Sequence, residues 1–391
     1  MVHEAAVHRR ETRRPGSTGR VLASGSRRLD DQSMNNRVRP RSFRWTLLAV
    51  AVVALSSLAP LACRDLSLGT NLGTKLEINR GQLYYTKQVR PEDAERLGQY
   101  LLAEKYFDGT PKTAQIDKAG STWLLRMVVK AGMDKDESYA ALAKLFGMQI
   151  SNGVFSGQAL KIELCDARMK TLRTITPIDG TRIEVNGGEI YYASMVERAT
   201  ADKLGKHFAE TGFFDGNQKT VHLVKDEQSW WVRIVVRSGI DDNAQAVREF
   251  GVMGLELSGH VFDGGKVVIH LCDDKLVTRR EVVCPDGKRQ VHSGGELYFA
   301  AGVEPAVANE LGNYLVKDGF FDGAPKTVRL TKASSGWQVQ IVVQPGVEKD
   351  PSFVKLTQEV AKALSDQVFD GEKVEVHLCD STLQALQVVT P

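Results

Sequence analysis

The chain has 391 residues, of which 42% are hydrophobic and 25% are charged, and its formal net charge is +3. This composition excludes a disordered chain and a protein that crosses the membrane many times, and the length predicts two or three domains. Residues 1–44 hold 11 arginines and four acidic side chains, so the rest of the chain is mildly acidic. A weakly acidic body has no general attraction for nucleic acids or anionic lipids.

Residues 45–63 contain no charged side chain and are dominated by Leu, Ala and Val. At a rise of 1.5 Å per residue, a helix of this length just crosses a hydrocarbon core of about 30 Å. The arginines before it predict that residues 1–44 stay in the cytoplasm as a basic, disordered tail. We therefore predict a signal peptide or transmembrane anchor at 45–63 and a linker at 64–74. A start at Met34 is an alternative that gives a leader of ordinary length.

The apolar segment ends in Ala62-Cys63, which resembles the lipobox of bacterial lipoproteins, whose cysteine becomes the lipidated N-terminus. The lipobox has Leu three residues before the cysteine, and this chain has Pro60 there. An uncleaved anchor, a lipoprotein with its lipid on Cys63 and a secreted protein all remain open. Each of them predicts that the following residues lie outside the cytoplasm, in or beyond a bacterial cell envelope.

The same residues recur downstream at intervals of 107 without insertions. The repeated positions are Tyr84, Tyr191 and Tyr298; Trp123, Trp230 and Trp337; Phe-Asp-Gly from 107, 214 and 321; and Leu-Cys-Asp from 164, 271 and 378. We predict three tandem domains at 75–177, 182–284 and 289–391. A unit of about 100 residues is large enough to form a hydrophobic core by itself.

Each copy has the predicted element order β-α-β-β-α-β. In the third copy the alternation of residues 337–343 predicts a half-buried strand, and Asp350-Pro351 is typical of a helix start. This order resembles that of ferredoxin-like domains, which implies a four-stranded antiparallel sheet with both helices on one face. The predicted fold class is therefore α+β, with three tandem ferredoxin-like domains after the N-terminal signal or anchor helix.

Alternation along the central strand puts the repeated tryptophans on the helix-covered face and leaves the opposite face open. The possible contact residues on that open face are Arg126 and Lys130 in the first copy and Trp231, Arg233 and Arg237 in the second. The third copy has glutamines in their place. The layout is similar to that of the RNA recognition motif, but the Gly-Phe-Gly-Phe type of signature is missing, so we predict no nucleic-acid binding.

Other polar residues fit structural roles better than chemical ones. His270-Leu-Cys272 and His377-Leu-Cys379 each supply two metal ligands, which is too few for a zinc site, and the first copy has Glu163 instead of His. The Asp-Gly pairs in the Phe-Asp-Gly repeats are typical of turns. Cys284 is predicted to be a free thiol or an intermolecular link. No catalytic motif is found, so we predict no enzyme, no cofactor and no metal.

These observations predict a membrane-anchored or exported envelope protein that displays three repeated domains for interaction with an unknown protein partner or with itself. Repetition of a weak binding surface multiplies avidity. The alternative is a small-molecule or ion sensor, because ACT domains share the β-α-β-β-α-β order and bind ligands between paired domains. A hydrolase acting at a junction between copies would need paired carboxylates or an activated nucleophile, which we do not find.

Overall fold

The computed structural model describes residues 72–391, which form three domains of one design with six strands and two α-helices each. The first domain contains β1 (Thr74–Ile78), β2 (Gly81–Tyr85), α1 (Pro91–Ala103), β3 (Thr113–Ala119), β4 (Thr122–Val128), α2 (Glu137–Phe155), β5 (Leu160–Cys165) and β6 (Thr171–Ile175). The predicted anchor at 45–63, the tail at 1–44 and Cys63 lie outside the described residues. Within residues 72–391, every helix is too short or too polar to span a membrane.

The other two domains repeat this order. The second contains β7 (Thr181–Val185), β8 (Gly188–Tyr192), α3 (Arg198–Glu210), β9 (Lys219–Lys225), β10 (Trp230–Val235), α4 (Ala244–His260), β11 (Val267–Cys272) and β12 (Thr278–Val283). The third contains β13 (Lys288–His292), β14 (Gly295–Phe299), α5 (Pro305–Lys317), β15 (Thr327–Ala333), β16 (Gly336–Val342), α6 (Pro351–Gln367), β17 (Val374–Cys379) and β18 (Ala385–Val389). The first two domains form one compact unit and the third forms another.

The prediction of four-stranded, antiparallel, ferredoxin-like sheets is wrong. Each domain has one six-stranded mixed sheet whose strands lie side by side in chain order. In the first domain β2 pairs with β3, and β4 with β5, in parallel, whereas the other neighbours are antiparallel. Each helix therefore links two adjacent parallel strands, while in a ferredoxin-like sheet each helix connection passes over a strand.

The handedness of the helix connections explains the error. Both connections of a domain step across the sheet in the same direction, although their strands run in opposite directions. Both helices nevertheless pack on the same face, so geometry requires one of the two connections to be left-handed. Connections of this kind are right-handed in about 98% of cases. Right-handed connections with both helices on one face would have required the ferredoxin-like strand order.

Each domain buries its own core between the helices and one sheet face. The repeated tryptophans stack on a phenylalanine at or just beyond the end of the second helix: the Trp123 and Phe155 rings are 4.0 Å apart, and the other domains repeat the pair. Trp123 and Trp337 are buried, which confirms their predicted place in the core. Gly98 in α1 packs closely on β1, because a Cβ there would lie 2.2 Å from Ile78 Cδ1 and the end of that side chain would have to move.

Candidate interaction surface

The face of each sheet turned away from its own helices carries a row of side chains from five neighbouring strands. We call this face the open face and the row the transverse row. Its members are Tyr84, Gln115, Arg126, Glu163 and Thr174 in the first domain; Tyr191, His222, Arg233, His270 and Glu281 in the second; and Tyr298, Arg329, Gln340, His377 and Val388 in the third. The open face is therefore polar along its middle, with a tyrosine at the same end in every domain.

In the first domain the row is linked by hydrogen bonds. Arg126 donates from Nε to Glu163 Oε2 at 2.9 Å and from Nη1 to Gln115 Oε1 at 3.1 Å. Gln115 Nε2 in turn donates to the carbonyl oxygen of Leu72 at 2.9 Å. Arg126, which is a predicted contact residue, thus donates two hydrogen bonds within its own domain.

The second domain builds a similar network from different residues. His222 Nε2 lies 2.7 Å from the carbonyl oxygen of Asp179, which can only accept, so Nε2 carries the proton. Nδ1 then accepts from Arg233 Nη1 at 3.3 Å, and Arg233 Nη2 donates to the carbonyl oxygen of Leu276. Burial, reinforced by the nearby Arg233 charge, lowers the pKa of His222 to about 4, although the Asp179 carbonyl opposes this shift. His222 is therefore neutral at pH 7.

Beside this network, helix α2 of the first domain lies on the open face of the second. Its Leu145 and Met148 pack against Tyr191, Cys272 and Leu276 in an apolar cluster separate from the cores of both domains. Leu145 and Met148 are 2% and 1% exposed, so this contact excludes water. The open face of the second domain is therefore a surface that binds the apolar outward side of a helix.

Polar bonds fix the position of α2 on this surface. Lys275 Nζ of the second domain donates to Ser138 Oγ in the first turn of α2 at 2.6 Å. Near the other end, Asn152 accepts from the Arg182 backbone N–H at 2.9 Å and donates to the carbonyl oxygen of Gly180 at 2.7 Å. Because both ends of α2 are bonded, the apolar cluster has one register.

The other predicted contact residues lie in different surroundings. Lys130 and Arg237 are exposed just beyond the ends of β4 and β10. Trp231 is 36% exposed on the open face, with its ring 5.3 Å from the His270 ring. Arg233 is held in the His222 network, so the five predicted residues do not form one site.

The cysteines of residues 72–391 are free thiols. Cys165, Cys272 and Cys379 are buried at equivalent positions, and Cys284 is buried as well. Burial raises the pKa of Cys284 to about 12, and its Sγ lies where a Cβ on Gly254 would stand. Of the two predictions for Cys284, a free thiol fits this position and an intermolecular link does not.

The repeated aspartates take part in turns. In each domain a lysine follows the aspartate by four residues. Its Nζ bonds the aspartate carboxylate and also donates to the backbone carbonyl two residues before the aspartate. In the third domain Lys326 is 4% exposed, and its bond lowers the pKa of Asp322. No cluster of three potential metal ligands occurs within residues 72–391.

Sequence reasoning missed the outward face of α2. Leu145 and Met148 point away from the domain's own sheet, whereas Ala143, Phe146 and Ile150 belong to its core. A signal was present, because an α2 that is apolar nearly all round must be buried on two sides. Leu145 and Met148 were given no role of their own, so no second contact was predicted.

Comparison with known proteins gives one match. The model of the AF_1994_N family, described as a family N-terminal domain, matches residues 75–176, 182–282 and 288–390. These three matches cover most of the chain and confirm its tandem internal repeats. No curated protein and no solved structure matches the chain significantly.

Proposed function

We propose that this chain, which belongs to the AF_1994_N family through three tandem domains, is a protein-binding component of the bacterial cell envelope. Residues 45–63 anchor it in the membrane or direct its export, and the repeated domains bind other proteins outside the cytoplasm. The proposal includes no catalytic step.

One observation carries this proposal. The open face of the second domain already holds a helix from another domain, through an apolar cluster and bonds at both ends of that helix. An apolar cluster bordered by hydrogen-bonding side chains has the layout of a protein interface, which has an apolar core and a polar rim. The first domain carries the same kind of face.

The sensor alternative has lost its support. It depended on the ferredoxin-like order that ACT domains share, and the sheets here have all six strands in chain order. We therefore keep a single proposed function.

The test is fractionation of cells that produce the full chain at natural levels. We expect the chain in the membrane fraction, resistant to high salt and released by mild detergent, with a native mass above 43.1 kDa after correction for bound detergent and lipid. A matched variant with Leu48→Arg and Val52→Arg tests residues 45–63, because charges at the centre of a spanning segment cost several kcal/mol.

Two results would contradict the proposal. A wild-type chain that stays in the cytoplasmic fraction would remove the envelope location. A native mass equal to that of one chain, 43.1 kDa, in every detergent and at every concentration would contradict stable assembly with a partner.

A further inference from the structure

We propose that the open face of the first domain is a docking site for an amphipathic helix of a separate protein, one that carries Leu and Met three residues apart on its outward side. This inference rests on the proposed function as a protein-binding component, and it names the surface and the chemistry of the partner. The inference is based on the contact of α2 with the open face of the second domain.

The first domain carries the same apolar set as the surface that holds α2. Tyr84, Val128, Cys165 and Met169 stand 107 residues before Tyr191, Val235, Cys272 and Leu276. Tyr191 and Leu276 are 4% and 2% exposed, whereas Tyr84 and Met169 are only half-buried. Neither Tyr84 nor Met169 belongs to a hydrophobic cluster of residues 72–285. The surface is thus present, and its apolar centre is partly open to water.

The backbone also presents this surface in the same way. Met169 has φ +60° and Leu276 has φ +57°, so both sit in the left-handed region that side chains other than glycine rarely adopt. The same turn therefore holds both apolar side chains. Arg168 stands at the position of Lys275, which bonds the first turn of α2. We therefore expect a hydroxyl or carboxylate in the first turn of the docking helix.

A second copy of the chain does not supply that helix. The α6 residues equivalent to Leu145 and Met148 are Glu359 and Lys362, and both are exposed. Burying two unpaired charges against an apolar surface is strongly unfavourable. The α4 residues equivalent to this pair are Val252, which is half-buried, and Leu255, which is 1% exposed and thus not free for a partner. The charged α6 prevents head-to-tail growth into rings or filaments, and the open face is left to another protein.

The experiment gives α6 of the full chain the apolar outward side that α2 has. The double variant Glu359→Leu, Lys362→Met gives α6 the outward residues of α2, and its native mass is measured in mild detergent over a range of concentrations. We expect oligomers that grow with concentration and are not formed by the wild-type chain. Adding Met169→Asn should raise the dissociation constant at least about tenfold, because it removes the apolar side chain while Asn tolerates the left-handed backbone.

Gln99→Glu is the matched control, since Gln99 is exposed on α1, on the opposite side of the first domain. It should leave the oligomers unchanged, and unfolding curves should show that every variant folds. A double variant that stays at the wild-type mass would overturn the proposal, as would oligomers that Met169→Asn does not weaken. Neither result depends on cell fractionation, so failure here and failure of the envelope function are distinguishable.

Discussion

The second position of the transverse row shows how one residue is adapted to its surroundings. Gln115 and His222 each bond a carbonyl of the segment that enters their domain, at Leu72 and Asp179 respectively. In the third domain the same position is Arg329, which donates to Gln340. Burial lowers the pKa of Arg329. The position needs a buried donor, and three different side chains supply it.

His222 makes the stability of the second domain sensitive to acid. Its pKa is about 4 when folded and near 6.5 when unfolded, so the unfolded chain binds the extra proton. The stability that neutral His222 contributes is therefore complete above pH 6.5 and is lost as the pH falls toward 4. We expect His222→Gln, which copies the first domain, to lose less stability than the wild type between pH 7 and pH 4.5.

The measurement is urea unfolding of both proteins at several pH values in that range. His270→Gln is the useful comparison, because burial also lowers the pKa of His270. Equal losses in the wild type and in His222→Gln would contradict the role given to His222.

Lys326 stabilises the turn of the third domain. Its Nζ donates to the carbonyl oxygen of Phe320 at 2.6 Å and lies 5.1 Å from the centre of the Phe320 ring. Lys326→Met would leave that carbonyl unsatisfied and would remove the ammonium from the ring. We expect a loss of about 1–2 kcal/mol in the free energy of unfolding at pH 7. Lys317→Met, at an exposed site in α5, should cost less than 0.5 kcal/mol, roughly the effect of an ordinary surface change. Similar effects of the two changes would refute this role.

Helix α2 packs on two surfaces, and this is its main difference from α6. One side completes the core of the first domain, and the other meets the open face of the second. The α6 helix has charged residues on the second side, so only its core side is apolar at these positions. The choice of outward residues thus decides which helix of the repeat joins another domain.

Met148→Lys gives α2 the outward residue of α6 and should release it from the second domain. We expect faster amide hydrogen exchange in β8 and a loss of at least about 2 kcal/mol in the stability of the two-domain unit. Exchange in β3 should change little, because Met148 lies outside the core of the first domain. Gln149→Lys adds the same charge one residue along as a control. Unchanged exchange in β8 would show that α2 does not depend on Met148.

At the scale of elements, sequence patterns predicted most strands and helices of each repeat but not their arrangement. Periodicity reports which side of an element is apolar and carries no information on which strand lies beside which. The first and last strands of each sheet are not part of the predicted β-α-β-β-α-β order. The strand order further required one left-handed connection, which general rules disfavour.

The whole molecule is built from two compact units, one containing the first two domains and one containing the third. Each domain has its own core, but the first two share the additional cluster around Met148 and Tyr191. The first two domains should therefore depend on each other for stability.

Fragments of the chain test this dependence. We expect the second domain alone, residues 179–285, to be less stable than the same domain within residues 72–285, because removing α2 exposes Tyr191 and Leu276 to water. Thermal unfolding of both fragments measures the difference. Residues 286–391 should unfold in one cooperative transition. A second domain equally stable in both fragments would show that the shared cluster contributes little.

The sequence by itself determined the threefold repeat, the tryptophan cores and the Asp-Gly turns, because these depend on residues close in the chain or on exact spacing. Only the tertiary structure decided the strand order, the handedness of the connections and the second contact surface of α2. Those features arise where residues far apart in the chain meet: Met148 and Tyr191 are each ordinary apolar residues until the fold brings them together.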